Sequence, residues 1–256
     1  MATVREIYDV LDRKAPFRYQ ADFDNAGFLV GRGDRTVTKV LVALDITPPV
    51  IGEAAEKGCQ LIVAHHPVIW GQIGRVTDET STGQKLLALM ENNIAAICAH
   101  TNLDAADGGV NDVLAGLLGM EDVEYLAGGM GRIGNIEEMS TEELAARAAY
   151  VLGAPVKWAD GRQGWKIRRL AIVSGGGGSM MQDAIDAGAD AFLTGEANHH
   201  AGHDAIQAGI GLVVAGHFAT EFPVAAALAE QLEERFPELE VLVSQWDHDP
   251  FNNMEP

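Results

Sequence analysis

His65 and His66 stand side by side in Leu61-Ile62-Val63-Ala64-His65-His66-Pro67, two imidazoles delivered to the end of a short apolar run. Such a run is the pattern of a strand buried on both faces. In open α/β sheets, chemistry gathers at the carboxyl ends of strands. Pro67 biases His66 toward an extended backbone, so the pair sits in a stiff turn, which suits a metal or a proton relay. The plainer alternative is one imidazole packed inward and one facing solvent. If residues 218–236 are a helix, His217 and Glu221 lie four apart at its start and can face one point. Asp104 follows another apolar run. His65, His66, Asp104, His217 and Glu221 together make a reasonable donor set for two divalent ions, whether Zn, Mn, Fe, Co or Ni. A carboxylate can bridge two such ions about 3.5 to 4 Å apart, and such pairs activate water. Taken alone, His217 with Glu221 is equally a hydrogen bond at a helix entry.

A second imidazole cluster, His199-His200 with His203, follows Leu193-Thr194-Gly195-Glu196. It can support the ligands, supply a general acid or be a solvated surface; His200 is the member expected in a pocket, with Glu221 as its catalytic counterpart. Gly175 to Gly178 with Ser179 lie between a predicted strand and a predicted helix, where backbone N–H groups could cradle phosphate. The stretch matches neither a P-loop nor a dinucleotide fingerprint, and a flexible turn is the better reading. No Gly-x-Ser-x-Gly elbow is present. Cys59 and Cys98 lie inside apolar stretches, as reduced buried thiols do.

The elements that must position these donors read as an α/β chain. Val4 to Leu11 is a short amphipathic helix, and residues 24–31 hold a small apolar strand bracketed by glycines. Lys39 to Asp45 is strongly β-prone. Thr47 before Pro48-Pro49 starts a helix that runs to about Gly58. Residues 82–92 are helical, Ile94 to Ala99 is another buried strand, and Gly108-Gly109 opens a helix through Leu118. Ser140-x-x-Glu143 is a capping box for a helix to Gly153. Strand alternating with helix is the pattern of a parallel sheet.

The first half then returns. A slide of 130 positions lays Lys39-Val40-Leu41-Val42 on Arg169-Leu170-Ala171-Ile172, Gly58 on Gly188, and Leu61-Ile62-Val63 on Ala191-Phe192-Leu193. A slide of 117 lays Ile97-Cys98-Ala99-His100 on Val214-Ala215-Gly216-His217, with Asp104 on Glu221. Each half ends a buried strand in His-x-x-x-carboxylate. The fold class is therefore α/β, with two similar halves and largely parallel or mixed sheets. The expected division is residues 1–124, carrying His65, His66 and Asp104, and 125–256, carrying His217 and Glu221.

The 256 residues are 47% hydrophobic, enough for a substantial core. A net charge of -19 argues against nucleic acid, whose phosphates need lysine and arginine, and these total 18. No apolar run of membrane-spanning length and no signal-peptide core is present, so a cytoplasmic protein with no membrane partner is expected.

With these residues in view, the chain resembles the Nif-three-like family of dinuclear metal-centre proteins, often described as type 2 homologues of GTP cyclohydrolase I. The matching stretches are DNAGFLVG at 24–31, VALDIT at 42–47, AHHPVI at 64–69, HTNLDAADGGVND at 100–112, TGEANHH at 194–200 and GHFATE at 216–221. The resemblance implies two α/β halves about a pseudo-dyad, a homohexameric ring and two divalent metal ions per subunit. The family's ligand positions fall on His65, His66, Asp104, His217 and Glu221, the set reached from strand ends. Phe23 stands where the family commonly has tryptophan, and residues 125–165 are too few for the middle domain many members carry. The implied activity is metal-dependent hydrolysis of a nucleotide or phosphoester-like small molecule, with GTP ring opening suggested by the family's usual description. A non-catalytic metal-binding, delivery or scaffold protein would use the same ligands. A metal-free nucleotide-binding module is a third reading.

Overall fold

A computed structural model of the protein describes residues 2–252. The chain divides into two compact units, Met1–Asp107 with Val224–His248, and Gly108–Pro223 with Asp249–Pro256. The first opens with β1 (Ala2–Thr3), α1 (Val4–Lys14), β2 (Gly27–Val30), β3 (Thr36–Val37) and β4 (Lys39–Ala43). It continues through α2 (Pro48–Glu56), β5 (Leu61–Ala64), α3 (Ser81–Glu91), β6 (Ala95–Cys98) and α4 (Thr101–Ala105). The second contains α5 (Val110–Leu118), β7 (Glu121–Leu126), β8 (Gly131–Met139), α6 (Thr141–Leu152), β9 (Lys157–Asp160) and β10 (Ile167–Val173). After these come α7 (Met181–Asp186), β11 (Ala191–Thr194), α8 (His199–Ala208), β12 (Gly211–Val214) and α9 (His217–Glu221). Then α10 (Pro223–Arg235) and β13 (Glu240–Val243) return the chain to the first unit.

That return moves the division away from the expected 124/125 boundary. The reason is β13, which pairs in parallel with β4, Val241 opposite Val40, and so adds a strand to the first sheet from the far end of the sequence. The expected helix over 218–236 is likewise two helices. Pro223 has no N–H to offer the carbonyl four residues back, so α9 ends before it and α10 starts on it.

The first sheet runs β13-β4-β5-β6-β2, parallel except for β2. The second runs β7-β8-β10-β11-β12-β9, with β10, β11 and β12 parallel and the outer strands antiparallel. Each sheet therefore holds a parallel trio built strand, helix, strand, helix, strand, as the repeat requires. Gly58 and Gly188, superposed by the 130-residue slide, adopt the same left-handed backbone, φ +70° and +77°, before the trio's middle strand. Val40 to Val42, Leu61 to Val63 and Ala96 to Cys98 are wholly buried, because helices cover both faces of parallel strands.

The caps follow the sequence. Thr47 accepts from the Val50 amide ahead of Pro48, and Ser140 with Glu143 forms the full capping box of α6, which closes on left-handed Gly153. Cys59 and Cys98 are free and buried, and burial pushes their thiols up to about 11 and about 12. Among the described residues no helix is long and apolar enough to cross a membrane.

The chain after β13 is clamped to the first unit by two buried acids. Glu53 on α2 accepts from Ser244 Oγ at 2.5 Å, the Gln245 amide at 3.1 Å and Lys57 Nζ at 2.7 Å. Asp247 accepts from the Leu44 amide at 2.5 Å and the Asp45 amide at 3.1 Å, where β4 ends. Burial would raise the Glu53 pKa, but the bonds from Lys57, Ser244 and Gln245 outweigh it and hold the group below its ordinary 4.5. Such a depressed pKa contributes stability above the ordinary value and loses it as pH falls through the folded-state value. Glu53→Gln should therefore cost about 1–3 kcal/mol at pH 7. In urea melts, the gap from wild type should narrow progressively as the pH falls below 4.5; a gap independent of pH would remove the ionised clamp.

Candidate metal centre

In the first unit the donors sit where the parallel trio stops. β5 pairs with β6 so that Ala64 lies opposite Cys98, and the next residues, His65-His66 and Ala99-His100, leave the sheet side by side. The ring centroids of His65 lie 5.0 Å from those of both His66 and His100, and His66 lies 5.6 Å from His100. One ring nitrogen from each of the three falls within 4.8 Å of the others. Asp104, buried on the short helix α4, brings Oδ1 to 3.6 Å from His65 Nε2.

Each imidazole is held from behind. His65 Nδ1 donates to the Ala99 carbonyl at 2.8 Å, His66 Nδ1 to Asp45 Oδ1 at 2.9 Å and His100 Nδ1 to Asp24 Oδ1 at 2.9 Å. An acceptor at Nδ1 fixes the proton there and makes Nε2 the lone-pair nitrogen, the arrangement by which metal-ligating histidines are oriented. Asp24 also accepts from Thr101 Oγ1 at 2.5 Å and the Thr101 amide at 3.0 Å. Burial alone would push the Asp24 carboxyl up, yet these bonds and the His100 ring hold it at about 2.

In the second unit the trio β10-β11-β12 ends in Ser174-Gly175, Gly195-Glu196 and Ala215-Gly216-His217. Glu196 donates its amide to the Gly175 carbonyl at 2.8 Å, and Gly216 to Gly195 at 3.0 Å, so the three exits stay in register. α9 then sets His217 Nε2 3.0 Å from Glu221 Oε2, one turn apart as the spacing predicts, with Glu196 Oε1 3.4 Å from His217 Nδ1. Glu221 is 5% exposed. Gly175, at φ +55°, lies so close that a Cβ there would land on Glu221 Oε1, with His217 Nε2 3.1 Å away. The backbone has thus been cut back to leave room for the carboxylate. Thr220 Oγ1 fixes the approach by accepting from the Gly175 amide at 3.0 Å.

Of the predicted residues, His65, His66 and Asp104 come together in one unit and His217 with Glu221 in the other. His199, His200 and His203 are exposed on α8. The two catalytic assignments thus differ in setting: Glu221 is buried against His217, whereas His200, expected in a pocket, stands exposed on α8 with its ring 5.8 Å from that of His199, because the inward face of that helix is taken by Ala201 and Ala205. The residue the sequence reading passed over as a donor is His100. Its signal was the alignment of His100-x-x-x-Asp104 with His217-x-x-x-Glu221. Asp24 and Asp45 were also passed over; both lie within matched motifs. Asn111 serves the second unit from the same long motif, accepting the Ser174 amide at 2.9 Å just before Gly175.

The donor chemistry fits a divalent transition ion: clustered imidazoles with fixed tautomers, and two buried carboxylates each within 3.6 Å of an imidazole nitrogen. Carboxylate and imidazole also suit Mn and Fe as well as Zn, so the set does not select one metal.

The sequence profile of the Duf34/NIF3 (NGG1p interacting factor 3) family matches residues 2–250. A Clostridium acetobutylicum protein named GTP cyclohydrolase 1 type 2 homolog is 32% identical over 206 residues, 77% of each chain. The solved structure of a Bacillus cereus protein related to NIF3 shares the fold at TM-score 0.92 over 99% of both chains, at 22% identity. That of a Staphylococcus aureus hypothetical protein superposes at TM-score 0.92 over 98% of this chain and 99% of its own, with 27% identity.

Gly175→Ala should destabilise the chain, because it adds a Cβ where Glu221 sits and strains a positive φ. Gly176→Ala, whose Cβ would meet nothing nearer than Glu196 Oε2 at 4.0 Å, should melt close to wild type. Thermal denaturation of the pair checks this, and equal melting temperatures would contradict the close approach.

Proposed function

The chain belongs to the Duf34/NIF3 family, and from that premise we propose that it is a metal-dependent hydrolase of a nucleotide or related phosphoester. In this reading two divalent ions per subunit are held by His65, His66 and Asp104 of the first unit and His217 and Glu221 of the second. The observation that carries it is the cluster of imidazoles at the end of β5 and β6, each with an oxygen behind its Nδ1. Packing alone does not need three oriented rings at one sheet edge.

Divalent ions, when bound, supply Lewis acidity and an activated water. The protein's own side chains orient and exclude. Ala99, Asp45 and Asp24 hold the imidazoles so that little reorganisation is needed when a charged substrate enters. Glu221, buried against His217, accepts the proton that the attacking water loses. His200, exposed at the start of α8, is assigned the return of a proton to the leaving group.

The substrate class rests on two observations. Relatives carry the name GTP cyclohydrolase 1 type 2 homolog. Exposed aromatic rings also stand beside the cluster: Trp70 meets His100 edge-on at 5.6 Å, and Phe23 lies 6.4 Å from Trp70. Open aromatic faces next to polar groups suit a planar base. A homohexameric ring and a cytoplasmic location complete the proposal, the second in keeping with two reduced thiols.

The test is steady-state turnover of a nucleotide and phosphoester panel with added Mn or Zn. Wild type should turn over at least one substrate, with Glu221→Ala about 100-fold slower or worse and His200→Gln reduced in kcat more than in KM. Metal binding without metal-dependent turnover across the panel would replace catalysis by metal storage or delivery.

A further inference from the structure

We propose that His199 and His203 form a separate cation site, a two-point chelate on the exposed face of α8 that takes a late first-row divalent ion such as Cu, Ni or Zn. The two residues are one helical turn apart, and their Nε2 atoms lie 3.1 Å from each other with the ring planes at 78°. Two imidazole nitrogens bound about 2.05 Å from one ion, at an angle between square and tetrahedral, are about 2.9–3.3 Å apart. The pair already has that separation. A hydrogen bond from one ring to the other spans a similar distance, and it is the contact that a cation replaces, since each ring then turns a lone pair to the same point.

The scaffold is rigid. Asn198 caps α8 by accepting the Ala201 amide at 3.0 Å, and Gly209 closes the helix in the left-handed region. Ala201 and Ala205 are buried with Phe192 and Leu212 in the core of the second unit, so the opposite face, with His199 and His203, is pinned outward. Preorganised donors lose little side-chain freedom on binding, which is what a site of only two protein ligands needs. The remaining coordination positions go to water. Such a site exchanges its ion readily. Imidazole pairs prefer the late transition ions to Mg or Ca, which require oxygen. None of the five residues assigned as ligands of the proposed hydrolytic centre takes part, and neither does His200, whose ring lies 5.8 Å from that of His199, so the two metal sites stand or fall separately.

Equilibrium dialysis of the full chain against Ni(II) alone, with bound metal counted by elemental analysis, tests the site. Wild type is compared with the double variant His199→Gln/His203→Gln, and both are repeated on a His65→Ala background. On each background the double substitution should remove one equivalent of micromolar-range Ni(II). In parallel, the Cu(II) spectrum of the parent minus that of the double variant, on the same background and at the same copper loading, should carry the nitrogen hyperfine pattern of two imidazoles. Both substitutions lie on an exposed face, and far-ultraviolet circular dichroism confirms that α8 is retained. Equal equivalents and equal affinity with and without the two histidines would overturn the assignment. So would one equivalent lost with no two-nitrogen signal in that difference spectrum.

Discussion

Side chains from segments forty residues apart can meet only if the strands that carry them stop together. In the first unit that condition is met by parallel pairing without offset: Ala43 opposite Ala64, and Ala64 opposite Cys98. Past that register His65 and His66 leave β5 level with Ala99 and His100 of β6, and the rings of the facing pair, His66 and His100, lie 5.6 Å apart, close to the spacing of about 4.8 Å between neighbouring strands. Sheet geometry thus sets the distance between the donors. A slip of one residue in either pair would send a histidine to the other face of the sheet. The second unit applies the same rule to Gly175, Glu196 and His217.

Bringing polar groups to a partly buried sheet edge is costly, and the structure offsets that cost with backbone and carboxylate oxygens. Asp24 receives His100 and both donors of Thr101, and Asp45 receives His66 while its own amide is held by Asp247. The chain's last strand is what brings Asp247 there. Orientation of a histidine at residue 66 thereby depends on residues almost two hundred positions away, through a short series of hydrogen bonds.

Much of this was legible in the sequence. Apolar runs of four to six residues marked the parallel strands, glycines and prolines marked their ends, and the two slides exposed the duplication. His65, His66, Asp104, His217 and Glu221 could be named because each follows a buried run. The oxygens behind the imidazoles were not legible, because Asp45 and Ala99 meet His66 and His65 only through the register of successive parallel strands, and Asp24 meets His100 through the pairing of β2 with the distant β6. His100 was hidden for a different reason: it stood next to a stronger candidate, Asp104, in the same motif. The transfer of α10 and β13 to the first unit could not be read either, since a short β-prone run such as Glu240–Val243 does not say which sheet it joins. The break between α9 and α10 was visible in Pro223.

The central claim is that strand-end imidazoles and carboxylates bind metal, and anomalous diffraction from crystals of the Zn- or Mn-loaded protein addresses it directly. The account predicts two anomalous peaks per subunit, with His65, His66, Asp104, His217 and Glu221 supplying ligand atoms at about 2.0–2.2 Å. Loaded crystals with no peak within ligand distance of His65, His66 or Glu221 would contradict it.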